Sequence, residues 1–166
     1  TQQAEKDNIF KNGKKMFDAA YCSLCHTMRG AGEAIGPDLT QVGSRFSSKD
    51  IMEHTHKPNK EISDQYASTV FTMKDGSSVV GKLINEENEK YFVSQNPFMP
   101  LSLREIDKKE VASAKLSTVS FMPGGLLGSL NDQEIKDIIA YLVAGGNPDH
   151  EVFKPVKTAR IRRIKT

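Results

Sequence analysis

The sequence predicts a mainly α domain interrupted by a small antiparallel β insertion, α+β overall. Three observations predict it. Segments with apolar residues at helical spacing stand near both ends of the 166-residue chain. Between them, residues 65–116 change to short β-rich runs separated by turn chemistry. Directly behind the first helical segment, Cys22-Ser23-Leu24-Cys25-His26 holds both cysteines of the chain.

The elements follow in order. In residues 4–20, Ile9, Phe10, Gly13, Met16, Phe17 and Ala20 recur at helical spacing. Gly13 and Phe17 share one face. A glycine inside a helix costs propensity, so its place there predicts close approach of a second helix. Residues 48–56 predict another helix, with Ser47 or Ser48 as N-cap, Lys57-Pro58 as its stop, and Ile51 and Thr55 facing inward. The last helix spans residues 130–143. Asn131 caps it with Glu134 three positions on, Ile135, Ile138, Ile139 and Leu142 form its stripe, and Gly145-Gly146 and Pro148 end it. The expected crossing sets Gly13 and Phe17 against Ile138 and Leu142.

Residues 66–73, 78–85, 90–95, 101–106 and 111–116 read as short strands. Asp75-Gly76 supplies a hairpin turn, because it accepts positive φ, and Asn96-Pro97 is a break. Together they suit a small antiparallel sheet or partial barrel; a long disordered loop is the alternative. The expected organisation is one domain over residues 4–146, interrupted by a β subdomain at 65–116 and followed by a basic tail at 147–166.

The formal net charge is +2, and Lys154, Lys157, Arg160, Arg162, Arg163 and Lys165 follow the last acidic residue. Without these six the chain would be net acidic. The run reads as a solvated tail or as a docking arm for an acidic partner or an anionic surface. No run of about 18 apolar residues predicts a transmembrane helix, and no nucleic-acid partner is expected.

C-x-x-C-H is the attachment signature of a c-type haem. Two thiols three positions apart can reach the vinyl groups on one porphyrin edge, and the adjacent His26 then faces the iron. Three other readings stand beside this one. A thioredoxin-like dithiol requires a preceding βαβ context. A zinc site would need His54, His56 or His150 as its fourth ligand. A cofactor-free structural cysteine pair is the third. Covalent attachment of one haem c is the reading the sequence favours. Haem is attached to this motif outside the cytoplasm in bacteria, so an exported protein is expected, in the periplasm or an equivalent compartment. The opening Thr1-Gln2-Gln3-Ala4-Glu5 then reads as the end left after leader removal.

For the sixth iron ligand the candidates are Met16, Met28, Met52, Met73, Met99, Met122, His54, His56 and His150. Met16 and Met52 fit helix faces, Met28 is too close to His26, and Met73 falls in a strand. Met122 is favoured. Pro123 stiffens the backbone behind its sulfur, and Gly124-Gly125 let the chain lie close to a flat ring. Met99, in Phe98-Met99-Pro100, is the strongest rival. Pro37 is expected to offer its carbonyl to the His26 Nδ1–H, and Arg45 is a candidate partner for a haem propionate.

In this order, the helix with Gly13 and Phe17, Cys22-Ser23-Leu24-Cys25-His26, Gly36-Pro37-Asp38-Leu39, Met122-Pro123 and the helix ending Ala140-Tyr141-Leu142 resemble a class I c-type cytochrome. The resemblance implies a mainly α cytochrome c fold around one haem c, with His26 and Met122 as axial ligands and Cys22 and Cys25 as thioether anchors. The spacing between His26 and Met122 is longer than in compact members. Residues 36–46, Asp75-Gly76 and residues 120–126 are similar to the planctomycete-type haem-binding domain, over roughly residues 10–144.

The expected function is one-electron transfer between redox protein partners, an electron carrier rather than an enzyme, since a His/Met-ligated haem has no open position. One alternative is a small-ligand-binding or peroxidase-like haem with an open sixth position, in which His54 or His56 acts as acid/base. Another is a fixed relay inside an oligomer or larger complex.

Overall fold

A computed structural model describes residues 1–154. Helix α1 (Gln2–Ala19) opens the chain, and a 3-10 turn (Cys22–Leu24) follows it. Two helices come next, α2 (Val42–Arg45) and α3 (Ser48–His56). Five strands follow: β1 (Thr69–Met73), β2 (Ser78–Glu86), β3 (Lys90–Ser94), β4 (Leu103–Asp107) and β5 (Val111–Leu116). Helix α4 (Asp132–Val143) and a 3-10 turn (Glu151–Phe153) complete the fold. The short α2 has no counterpart in the sequence reading, and the first strand begins at Thr69 rather than at residue 66.

Short-range chemistry fixes the helix starts. Ser47 Oγ accepts from the Asp50 N–H while the Asp50 carboxylate accepts from the Ser47 N–H. Asn131 and Glu134 make the same reciprocal pair at α4. Each such box satisfies two of the donors a helix start leaves orphaned. It is worth about 1 kcal/mol, the typical cost of replacing the cap by alanine.

Helices α1 and α4 cross at Gly13. A Cβ there would collide with the Asp137 carbonyl and stand 2.8 Å from Tyr141 Cβ. The crossing point is therefore Asp137 and Tyr141, one residue short of the expected Ile138 and Leu142. Phe17 stacks on Tyr141 with ring centroids 5.6 Å apart. Ile138 and Leu142 are buried in the same core, with Met16, Ala20, Ile51 and Leu127.

The strands form one antiparallel sheet in the order β4-β3-β2-β1-β5. Gly76 takes φ 88° in the β1–β2 turn, where Asp75 Oδ1 accepts from the Ser77 N–H at 2.9 Å. Phe71, Val79, Val93 and Ile106 form a second core cluster on one face of the sheet. Each buried side chain of this kind contributes roughly 1.5–3 kcal/mol.

The tail starts later than residue 147. Phe153 is buried, and its ring meets Phe10 edge-on at 5.7 Å. Burial of that ring holds residues 151–153 on α1, which corrects a solvated tail for this stretch. Lys157 and the four basic residues after it lie outside the described residues.

Candidate functional site

The end of α1 sets up the site. Tyr21 adopts the left-handed conformation at φ 63°, a strain of about 1–2 kcal/mol for a non-glycine residue. It reverses the chain into the Cys22–Leu24 turn. There the Cys22 carbonyl accepts from the N–H groups of Cys25 (3.2 Å) and His26 (2.9 Å). One helical turn thus brings Cys22, Cys25 and His26 to the wall of a single cavity of about 520 Å³.

The loop after the motif holds His26. The Cys25 carbonyl accepts from Ile35 N–H at 3.1 Å and Gly36 N–H at 2.6 Å. Asp38 ties both sides of the loop, accepting from Thr27 Oγ1 at 2.6 Å and Thr40 N–H at 2.7 Å. These bonds, Thr27 first, hold its carboxyl below the usual range. The result is a Pro37 carbonyl 2.7 Å from His26 Nδ1. A carbonyl only accepts, so Nδ1 carries the proton and Nε2 keeps its lone pair. Burial lowers the pKa of His26, against the opposing effect of the Pro37 bond. Gly36 lies against the ring: a Cβ there would stand 2.8 Å from Cε1 and 3.0 Å from Nδ1.

Burial pushes the Cys22 thiol up to about 12 and raises Cys25 as well. Both are free thiols. Among the described residues no three His, Cys, Asp or Glu side chains gather as a metal site. Of the fourth-ligand candidates, His54 lies on the same cavity wall, 3.3 Å from Glu61, while His56 is exposed and outside the lining and His150 accepts from the Val152 N–H. The preceding element is α1, which removes the βαβ context of a thioredoxin-like dithiol.

Met122 lines the same cavity, with Phe121, Pro123 and Leu126. Its loop is anchored from outside: the Ser120 N–H donates to Asn59 Oδ1 at 2.7 Å, and Ser120 Oγ accepts from the Met122 N–H at 3.1 Å. Met99 is 60 % exposed and does not line the cavity, although its neighbours Pro97 and Phe98 do. Arg45 is exposed and lies outside the lining, 5.9 Å over the Phe46 ring, which does line it.

Three lining residues, Tyr66, Lys82 and Glu61, had no signal in the sequence. Phe98 stacks edge-on against Tyr21, closing the cavity beside the cysteines. Tyr66 and Lys82 reach it from the sheet side, and His54 and Glu61 from α3 and the loop behind it. The Phe98-Met99-Pro100 triplet did mark that the segment meets the site, but through the phenylalanine.

The cytochrome c family model matches residues 10–90 of the chain. This match covers just under half of the chain and supports a c-type cytochrome. It starts inside α1, includes Cys22, Cys25 and His26, and ends before Met122. A comparison with curated proteins returns no match. The donor set fits the group: two free thiols and an imidazole with a free Nε2 lone pair open from one turn into a mostly apolar cavity.

Proposed function

We propose that this chain is a monohaem c-type cytochrome that passes one electron at a time between redox protein partners. Cys22 and Cys25 would anchor the haem through thioethers, and His26 and Met122 would bind its iron. The observation that carries the reading is the convergence of these four side chains on one cavity from segments nearly a hundred residues apart. Haem c, when bound, supplies reversible one-electron chemistry at its iron. Pro37 holds the proton on Nδ1 and so leaves the Nε2 lone pair of His26 available to bind the iron. A thioether donor from Met122 favours the reduced state and raises the potential. Ile35, Leu39 and Leu126 give the cavity an apolar lining that would shield the group from water.

The domain reading is part of the same proposal. The haem domain covers residues 4–146, and residues 65–116 form a sheet subdomain that contributes one cavity wall. No helix of the described residues is long and apolar enough to cross a membrane. The protein acts in an extracytoplasmic compartment such as the periplasm, where this cofactor is attached.

The test is absorption spectroscopy of the oxidised and dithionite-reduced protein beside Met122→Ala and Met99→Ala. A far-red sulfur-to-iron charge-transfer band that survives Met99→Ala and disappears in Met122→Ala supports the ligand pair. Its persistence in Met122→Ala would overturn Met122. A second reading rests on the His54–Glu61 contact at the cavity wall: an imidazole beside a carboxylate could serve as acid/base for a small ligand at an open sixth position. A high-spin component in the oxidised spectrum would favour that reading.

A further inference from the structure

Lys82 is the one lysine or arginine that lines the cavity among the described residues. Its place follows from the sheet. Along β2, Val79 packs into the sheet core and Leu83 packs against it, so Lys82 belongs with Val80 on the opposite face. Its Nζ donates to the Gln65 carbonyl at 2.8 Å and lies 5.6 Å from the centroid of the Tyr66 ring. A carbonyl and an aromatic face both favour a cation, yet neither neutralises it. No carboxylate stands within ion-pair distance of Lys82 among the described residues. The other sheet lysines differ: Lys90 pairs with Glu105 and Lys108 with Glu86. Burial also lowers the pKa of Lys82, which reports partial removal of the ammonium from water.

We propose that Lys82 is a positioning charge through which the sheet sets the reduction potential of the site. The inference rests on the haem reading above. The oxidised site carries one more unit of positive charge than the reduced site. An uncompensated ammonium on the cavity wall therefore disfavours oxidation, and partial desolvation weakens the screening that would hide it. The β subdomain thus acts on the redox centre as well as enclosing it.

The experiment is a spectroelectrochemical titration of the haem-loaded full chain. Lys82→Gln keeps an N–H donor for the Gln65 carbonyl and removes the charge; Lys82→Met is a second neutral variant. Lys82→Arg restores the charge, and Lys90→Gln removes a paired surface charge as a control. At a fixed poise near the wild-type midpoint, both neutral variants should lower the reduced-to-oxidised ratio by roughly three- to tenfold, tenfold being 59 mV for one electron. Lys82→Arg should return most of it, and Lys90→Gln should change it little. A ratio unchanged in the neutral variants, or lowered as much by arginine as by glutamine, would overturn the proposal. Wild-type protein without covalently attached haem would overturn the parent reading and this one together, whereas haem-loaded protein indifferent to Lys82 overturns this one alone.

Discussion

Replacing Gly13 by alanine sets two effects of opposite sign against each other. In an isolated helix the change stabilises by about 1 kcal/mol, because alanine loses less backbone freedom than glycine. In this fold the new methyl would strike the Asp137 carbonyl and stand 2.8 Å from Tyr141 Cβ. The first of these is backbone inside α4 and cannot rotate away. Relief requires α1 and α4 to separate, which would stretch the Asn12–Asp137 hydrogen bond and thin the Phe17–Tyr141 contact. Overpacking of this kind costs about 1–3 kcal/mol, and a backbone clash belongs at the upper end. Subtracting the propensity gain leaves a net loss of about 2 kcal/mol, or about 4–8 °C in Tm for a chain of this length. Thermal unfolding of wild type and Gly13→Ala, matched for haem content, measures it. An unchanged or raised Tm would refute the reasoning, since helix propensity would then outweigh the crossing. The crossing matters for function because α1 leads directly into the Cys22–Leu24 turn and α4 supplies Leu142 to the cavity wall.

Gly36→Ala should push the His26 ring off the Pro37 carbonyl, since its methyl would stand 2.8 Å from Cε1; the expected result is lost or spectrally altered haem, and a wild-type spectrum at full loading would contradict it. Asp38 should stabilise the fold above its unfolded pKa of ~3.9, because the Thr27 and Thr40 bonds depress its folded value. That contribution disappears as pH falls through the folded pKa, so Asp38→Asn should be less stable than wild type at pH 7 and converge with it in strong acid. Urea midpoints across pH check this, and a gap that widens on acidification would reverse the assignment. Phe153→Ala removes a buried ring packed on Phe10 and should cost about 3 kcal/mol, the lower end for phenylalanine. A urea midpoint within error of wild type would show that the ring is not packed in solution.

How much of this was legible depended on the distance over which each feature is decided. The helix starts at Ser47–Asp50 and Asn131–Glu134 are three-residue arrangements, and the structure forms both. The same holds for the turn that aligns Cys22, Cys25 and His26, whose geometry follows from one helical repeat. The sheet was legible as alternation, although its first strand begins later than the β-formers at Tyr66 suggested. Lys82 shows the limit. Arg45 was singled out because it follows the attachment loop in sequence; it is exposed, beside Phe46, which lines the cavity. Lys82 carried no local mark, because the cavity reaches it only through the pairing of β2 with its neighbours.

Phe98-Met99-Pro100 and Phe121-Met122-Pro123 are the same triplet twice. The sequence determined that two methionines stand between a phenylalanine and a proline, each in a break between regular elements. Local chemistry favoured Met122, through the Gly124-Gly125 that follows it, and left Met99 as its rival. The tertiary structure turns Phe98 inward and leaves Met99 in solvent, while the Asn59–Ser120 tether brings Met122 to the cavity that Cys22, Cys25 and His26 share. Local bonds fix which side chains can serve a site. Contacts between residues sixty or more positions apart decide which of them reach it.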